Sequence, residues 1–361
     1  MRRINKLDGL RGLFSVFIVF FHFDPTLLPA FIGNNFIIRQ SESFVDFFFV
    51  LSGYLIAVNY ESRLSNWESF FVFLKNRWIR IYPLLLFSTL IFLFSLVISN
   101  TIFPSILHNE SSVQMLVFQA LDTLCLTNST PILGDGLGLN FPTWSISSEM
   151  ISYLIFGFMM VWVPSQSKMK AILGLIAICF LFLLYQERYF LTGTWGFVRG
   201  LLCFNLGYVV YVMAKKDYKL PAIFELVLSI VLLVLFYLLH QHNFTVQREL
   251  LALVFVPPLF AIFIWVLLKS NGLISRLLDT LPFQFVGKIS YSIYLNHALI
   301  VVVVPRILFD LLMWERTNDH LIWSAILVIV VLFSYSVFTY QIIELKLGNS
   351  LKSILNKTEL N

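Results

Sequence analysis

LLALVFVPPLFAIFIWVLL (Leu250–Leu268) contains no charged, amide or hydroxyl side chain. As a helix rising ~1.5 Å per residue it is long enough to cross most of the ~30 Å of hydrocarbon in a bilayer. Working outward, similar apolar runs recur at Leu13–Phe23, Phe44–Tyr60, Trp78–Ser99, Trp144–Val163, Ala171–Tyr185, Trp195–Met213, Ala222–His240, Val286–Phe309 and Leu321–Ile343. With the first that makes ten candidate spans. The runs at Leu13–Phe23 and Ala171–Tyr185 are short and must use their polar flanks or thin the bilayer. Composition agrees. Hydrophobic residues make up 58% of the 361 and charged residues 12%, against about 45–50% and about 25% in soluble domains. No globule of this size hides that much apolar surface from water, so lipid must cover it. A soluble enzyme, a disordered chain and a secreted disulfide scaffold are excluded. The 38 Phe and the lack of apolar–polar alternation argue against a polar-lumen barrel. The expected fold is an all-α polytopic membrane protein of about ten transmembrane helices.

Charge placement sets an orientation. With the N-terminus in the cytoplasm and strict alternation, 19 of the 25 Lys and Arg fall on the cytoplasmic side, Arg2, Arg3 and Lys6 among them, as the positive-inside rule requires. Both termini are then cytoplasmic. No small-x-small cleavage site follows the first run, so it reads as a retained helix rather than a signal peptide. The net charge of +5 is thus a matter of topology, and no nucleic-acid partner is expected. Val113–Thr127 is apolar but short; counting it as a span would put the Lys168/Lys170 and Lys215–Lys219 loops outside. It is therefore expected to be a short interfacial or re-entrant helix. TNSTPILGDGLGLNFP (Thr127–Pro142) reads as an irregular outer loop. Residues 1–345 are expected to form one membrane domain and residues 346–361 a short basic cytoplasmic tail.

Ionisable residues inside a membrane are functional candidates. Helix counting sorts them into two layers. Arg11, Arg77 and Arg80 lie near the inner face; His22, Asp46 and Glu149 lie near the outer one. Arg11 and His22 are eleven residues apart, ~16 Å along a helix. Guanidinium forks suit phosphate, and an imidazole held by a carboxylate is general-base chemistry. The separation is roughly the reach of a pantetheine arm, which points to a phosphorylated acyl carrier entering from the cytoplasm. Each residue also has a plainer reading: arginine topology anchors, an interfacial histidine, first-turn acids favoured by a helix dipole. His297, inside the ninth run, reads as a structural histidine whose loss should be milder than that of His22. His108 and His320 fall in outer loops. The absence of HxxxH and HExxH spacings gives no support to a metal site. Cys125, Cys179 and Cys203 form no CxxC pattern and read as free thiols.

LDGLRGLFSVFIVFFH (Leu7–His22), VDFFFVLSGYLI (Val45–Ile56), RWIRIYP (Arg77–Pro83), WSISSEMISYLI (Trp144–Ile155), GKISYSIYLNH (Gly287–His297) and YQIIE (Tyr340–Glu344) together resemble the acyltransferase-3 family of integral membrane acyltransferases. The resemblance implies a ten-helix domain that takes an acyl group, usually acetyl, from cytoplasmic acyl-CoA as co-substrate. The group passes to a hydroxyl of an envelope glycan at the outer face of a bacterial inner membrane. Within the family pattern Arg11 and His22, the paired Arg77 and Arg80, and Glu149 match functional positions. Three departures touch the acceptor side: Met150 stands where a second acid is common, Asn296 where Trp is usual, and Leu345–Lys346 where Pro often follows the final Glu.

The resulting expectation is an O-acetyltransferase. Glu149 or Asp46 charges His22, His22 deprotonates a sugar hydroxyl, and Arg11, Arg77 and Arg80 hold the donor. The acceptor is an envelope glycan such as lipopolysaccharide O-antigen or exopolysaccharide, or a lipid-linked sugar. An acyl-histidine relay remains open. So does the same chemistry on a small molecule or lipid. A non-enzymatic transporter would show internal repeats and broken helices in matched halves, and neither is visible.

Overall fold

The computed structural model describes residues 4–102, 111–133, 138–242 and 245–357. Arg2, Arg3, His108 and the 134–137 part of the Gly-rich loop lie outside the described residues. The longer helices are α1 (Asn5–Phe21), α2 (Phe44–Tyr60), α3 (Trp67–Ile102), α4 (Val113–Leu124), α5 (Trp144–Trp162), α6 (Lys168–Tyr185), α7 (Gly196–Ala214), α8 (Ile223–Gln241), α9 (Val246–Lys269), α10 (Leu281–Arg306) and α11 (Asn318–Thr339). Among the described residues there is no strand, and nine helices are long and apolar enough to cross a membrane. The chain is a multi-pass membrane protein. At 17 residues, α1 is short for a crossing, as its apolar run implied. At 12 residues, α4 reaches only ~18 Å and cannot cross ~30 Å of hydrocarbon.

Helix ends follow the apolar runs closely, but α1, α10 and, most of all, α3 start before theirs. Helix α3 has 36 residues and begins at Trp67, well before the apolar run starts at Trp78. Its start is set by a reciprocal cap: Ser69 N donates to Asn66 Oδ1 (2.9 Å) and Asn66 N donates to Ser69 Oγ (3.2 Å), a capping-box arrangement. Arg77 and Arg80 therefore stand inside a continuous helix, which also accommodates Pro83. At the other end of the chain α11 widens at Tyr340–Leu347 into turns bonded five residues apart, and Glu344 is carried on them.

Burial separates the centre from the rim. In the Ser41–Tyr60 span 72% of the window is buried, against 17% in Ser165–Tyr185 and 28% in Ile223–Gln241. So α2 is the axis of the bundle, and α6 and α8 give most of their surface to lipid. A Cβ on Gly53 would lie 1.9 Å from Phe204 O, and one on Gly207 2.1 Å from Val50 O, so α2 and α7 touch backbone to backbone. The same holds for α1 and α10. A Cβ on Gly12 would lie 2.5 Å from Gly287 N, and one on Gly287 2.3 Å from Asp8 O. Phenylalanine fills the space between: Phe14 stacks on Phe44 at 3.9 Å, and Phe47 and Phe260 close around it.

Candidate active site

Arg11, Arg77, Arg80 and Glu149 line one cavity of about 190 Å³, walled also by Ser52 and Tyr153. Arg11 is held on one side: Nε donates to Ser290 Oγ (2.8 Å), Nη2 donates to Gly287 O (2.8 Å), and Asp8 lies 3.2 Å away. Arg77 donates through Nη2 to Tyr60 OH (3.0 Å) and lies over that ring, while its buried Nε has no partner. Arg80 Nη1 is 3.2 Å from Glu344 Oε2, and its side chain is 47% exposed. It marks the open end. Glu344 is itself fixed by Ser292 Oγ at 2.5 Å. The guanidiniums are anchored from behind, and the free Nε of Arg77 is a buried donor that an anion would satisfy. The residues present thus fit a phosphorylated donor. The volume is below the ~300–1,000 Å³ of whole-ligand pockets, so it suits one portion of a carrier such as a pantetheine arm.

Glu149 stands in this cavity and not beside His22. Its Oε1 accepts from Ser52 Oγ and from Tyr153 OH, both at 2.5 Å. Asp46 is elsewhere again. Fully buried, it takes the fork of Arg199: Nε donates to Oδ1 (2.7 Å) and Nη2 to Oδ2 (3.0 Å). The Arg199 guanidinium also lies over Trp144, Tyr189 and Phe190, 4.9–5.6 Å from the ring centroids. The expected outer trio of His22, Asp46 and Glu149 is therefore split among three places. Helix counting gives depth along the axis but not the direction a side chain faces, and a desolvated carboxylate turns to the nearest matched donor.

The partner of His22 is His297. His22 Nδ1 is 3.1 Å from His297 Nε2 and 3.0 Å from Ile18 O; His297 Nδ1 is 2.7 Å from Tyr294 O. Phe141 packs on both rings, at 4.6 and 5.8 Å. Tyr294 lines the cavity, and its ring lies 5.7 Å from that of His297. Its OH is 2.8 Å from Ser145 Oγ and donates to Pro142 O (3.2 Å). The sequence alone reads His297 as structural and does not show this contact. A usable signal for the contact exists: Gly12 precedes His22 by ten residues, as Gly287 precedes His297. Among the described residues no group of three His, Cys, Asp or Glu side chains is arranged to hold a metal ion.

Comparison with known proteins places this site in context. The peptidoglycan O-acetyltransferase OatA of Listeria monocytogenes is 27% identical over 94% of this chain and 55% of its own length. YrhL of Bacillus subtilis, whose name as a peptidoglycan O-acetyltransferase is itself provisional, is 22% identical over 95% of this chain and 54% of its own length. The chain thus spans about half the length of the curated relatives it matches. No solved structure matches it. The acyltransferase-3 profile, described as an acyltransferase domain, matches residues 4–339, and the chain belongs to that family.

Proposed function

We propose that the protein is a membrane O-acetyltransferase. It moves an acetyl group from cytoplasmic acetyl-CoA to a hydroxyl of a cell-envelope glycan. Peptidoglycan is the first acceptor to test, since both relatives bear that name, ahead of lipopolysaccharide O-antigen, exopolysaccharide or a lipid-linked sugar. The observation that carries this reading is the buried, unpartnered Arg77 Nε in a cavity shared with Arg11 and Arg80 and lined also by Tyr294, the neighbour of His297. In this reading the three arginines hold donor phosphates or the arm's entrance. His22 Nε2 takes the proton of the acceptor hydroxyl as its oxygen attacks the thioester carbonyl; the C–S bond breaks and the thiolate leaves with CoA. Glu149 balances charge among the guanidiniums. Asp46, occupied by Arg199, holds the α2–α7 contact. Cytoplasmic termini are the reading the basic-residue pattern favours; the outer reaction face and the bacterial inner-membrane location are what the family resemblance implies.

The test is transfer of radiolabel from acetyl-CoA into the isolated envelope polymers of an expressing bacterium, with His22→Ala as control. Label in peptidoglycan that His22→Ala abolishes is the expected result. Label confined to lipopolysaccharide or exopolysaccharide would redirect the acceptor. No label in any polymer would end the glycan reading.

A further inference from the structure

We propose that His297 is the positioning residue that fixes which nitrogen of His22 is free to react. This inference rests on the reading of His22 as the base. It starts from acceptors that have no hydrogen to give. His297 Nδ1 lies 2.7 Å from the carbonyl of Tyr294. A carbonyl only accepts, so Nδ1 carries the hydrogen, and in the neutral ring Nε2 is left bare. That bare nitrogen lies 3.1 Å from His22 Nδ1, so it accepts and His22 Nδ1 donates. The second neighbour of His22 Nδ1, Ile18 O at 3.0 Å, is also an acceptor and demands the same hydrogen. Ile18 O already accepts from the backbone N of His22 at 3.2 Å. His297 Nε2 is therefore the acceptor otherwise unengaged. The chain of two imidazoles and one carbonyl leaves a single arrangement: hydrogen on His22 Nδ1, lone pair on His22 Nε2.

In many hydrolases and transferases a carboxylate does this work, orienting the ring and stabilising the imidazolium. Here both candidate carboxylates are engaged elsewhere, Asp46 by Arg199 and Glu149 by Ser52 and Tyr153. A neutral imidazole takes their place. When His22 Nε2 accepts the hydroxyl proton, the new charge is shared along the Nδ1–H···Nε2 bond into His297, which is completely buried. His297 never touches the substrate in this arrangement; it acts through His22.

Two substitutions separate this role from a merely structural one. His297→Asn places an amide where Nδ1 was, keeping the Tyr294 bond and losing His22. His297→Gln places an amide where Nε2 was, keeping an acceptor for His22 and losing Tyr294. In membranes supplied with radiolabelled acetyl-CoA, His297→Asn should lower turnover about 10²-fold, the scale of a disabled general base, with the Michaelis constant for acetyl-CoA unchanged. His297→Gln should stay within about tenfold of wild type. A structural role predicts the reverse order, because the buried carbonyl bond is the one Asn keeps. Equal activity of the two variants, or Asn above Gln, overturns the proposal. A readout independent of turnover is the ¹⁵N spectrum of histidine-labelled protein. The expected wild-type spectrum shows His22 protonated at Nδ1, and Nε2 protonation there overturns the proposal outright. Full activity of His22→Ala would sink the function reading instead, and the spectrum would still decide the tautomer.

Discussion

Gly12 and Gly287 meet backbone to backbone one ten-residue stride before His22 and His297 on two parallel helices. The equal strides matter. Helices that touch at one level and run in the same direction present residues at equal offsets to one another, so the glycine contact sets the height at which the imidazoles meet. The same contact seats Arg11, whose guanidinium donates to Gly287 O. One close approach thus positions both an arginine of the cavity and the histidine pair.

Gly12→Ala should test that linkage. Its Cβ would lie 2.5 Å from Gly287 N, and backbone cannot yield as a flexible side chain does. Overpacking of this kind costs about 1–3 kcal/mol, and a shift of ~1 Å at a reacting centre costs about 10²-fold in rate. Acetyl transfer should therefore fall by about two orders of magnitude in protein that is still extracted by detergent, though with a lowered melting temperature. Transfer at the wild-type rate would mean that the imidazole contact does not depend on this crossing.

Asp46→Asn is expected to act on stability and not on the chemistry. It strands the Arg199 guanidinium in the bundle, and breaking a buried pair costs about 3–5 kcal/mol. Asp46→Leu combined with Arg199→Met removes both charges and should recover much of the melting temperature. A variant Asp46→Asn that melts like wild type yet transfers no acetyl would return Asp46 to the reaction.

What could be read beforehand divides along physical lines. The bounds of α2, Phe44–Tyr60, follow directly from an apolar run with polar ends. The start of α3 does not, because Lys75, Arg77 and Arg80 interrupt hydropathy without interrupting the backbone. The place of Asp46 in the first turn of α2 is legible; its orientation is not, since it depends on Arg199, 153 residues away in sequence and on the neighbouring helix. The contact of His297 with His22 is hidden in the sequence for a related reason. A lone histidine in an apolar helix carries no sign of its neighbour, and only the repeated glycine-to-histidine spacing hinted that α1 and α10 are matched.

Arg77 and Arg80 should differ in how they fail. Arg77 is held by Tyr60 with a buried Nε unsatisfied, so Arg77→Ala removes a preorganised donor and should raise the Michaelis constant for acetyl-CoA tenfold or more. Arg77→Lys should restore only part, since it keeps charge and loses the fork. Arg80 is half exposed and shares its charge with Glu344, so Arg80→Ala should raise the constant by a few-fold. Unchanged donor binding in both alanine variants would reduce the arginines to topology anchors.

Glu149 sets the sharpest contrast between charge and proton transfer. It stands among three guanidiniums in a cavity proposed to take an anion, and it accepts from Ser52 and Tyr153 through the same oxygen. Glu149→Gln keeps an oxygen that can accept both hydroxyls and removes the charge. A unit charge at 4 Å is worth about 4 kcal/mol at an effective dielectric near 20, so even a screened share alters anion affinity by about tenfold. The variant should bind acetyl-CoA and free CoA about tenfold more tightly. Turnover should fall in step because the product leaves more slowly. Ser52→Ala and Tyr153→Phe each leave the carboxylate and one of its donors, so both should keep the wild-type inhibition constant for CoA. If Glu149→Gln leaves that constant unchanged while turnover collapses, the carboxylate is handling a proton in the reaction, and Glu149 is then a base in the cavity separate from the histidine pair.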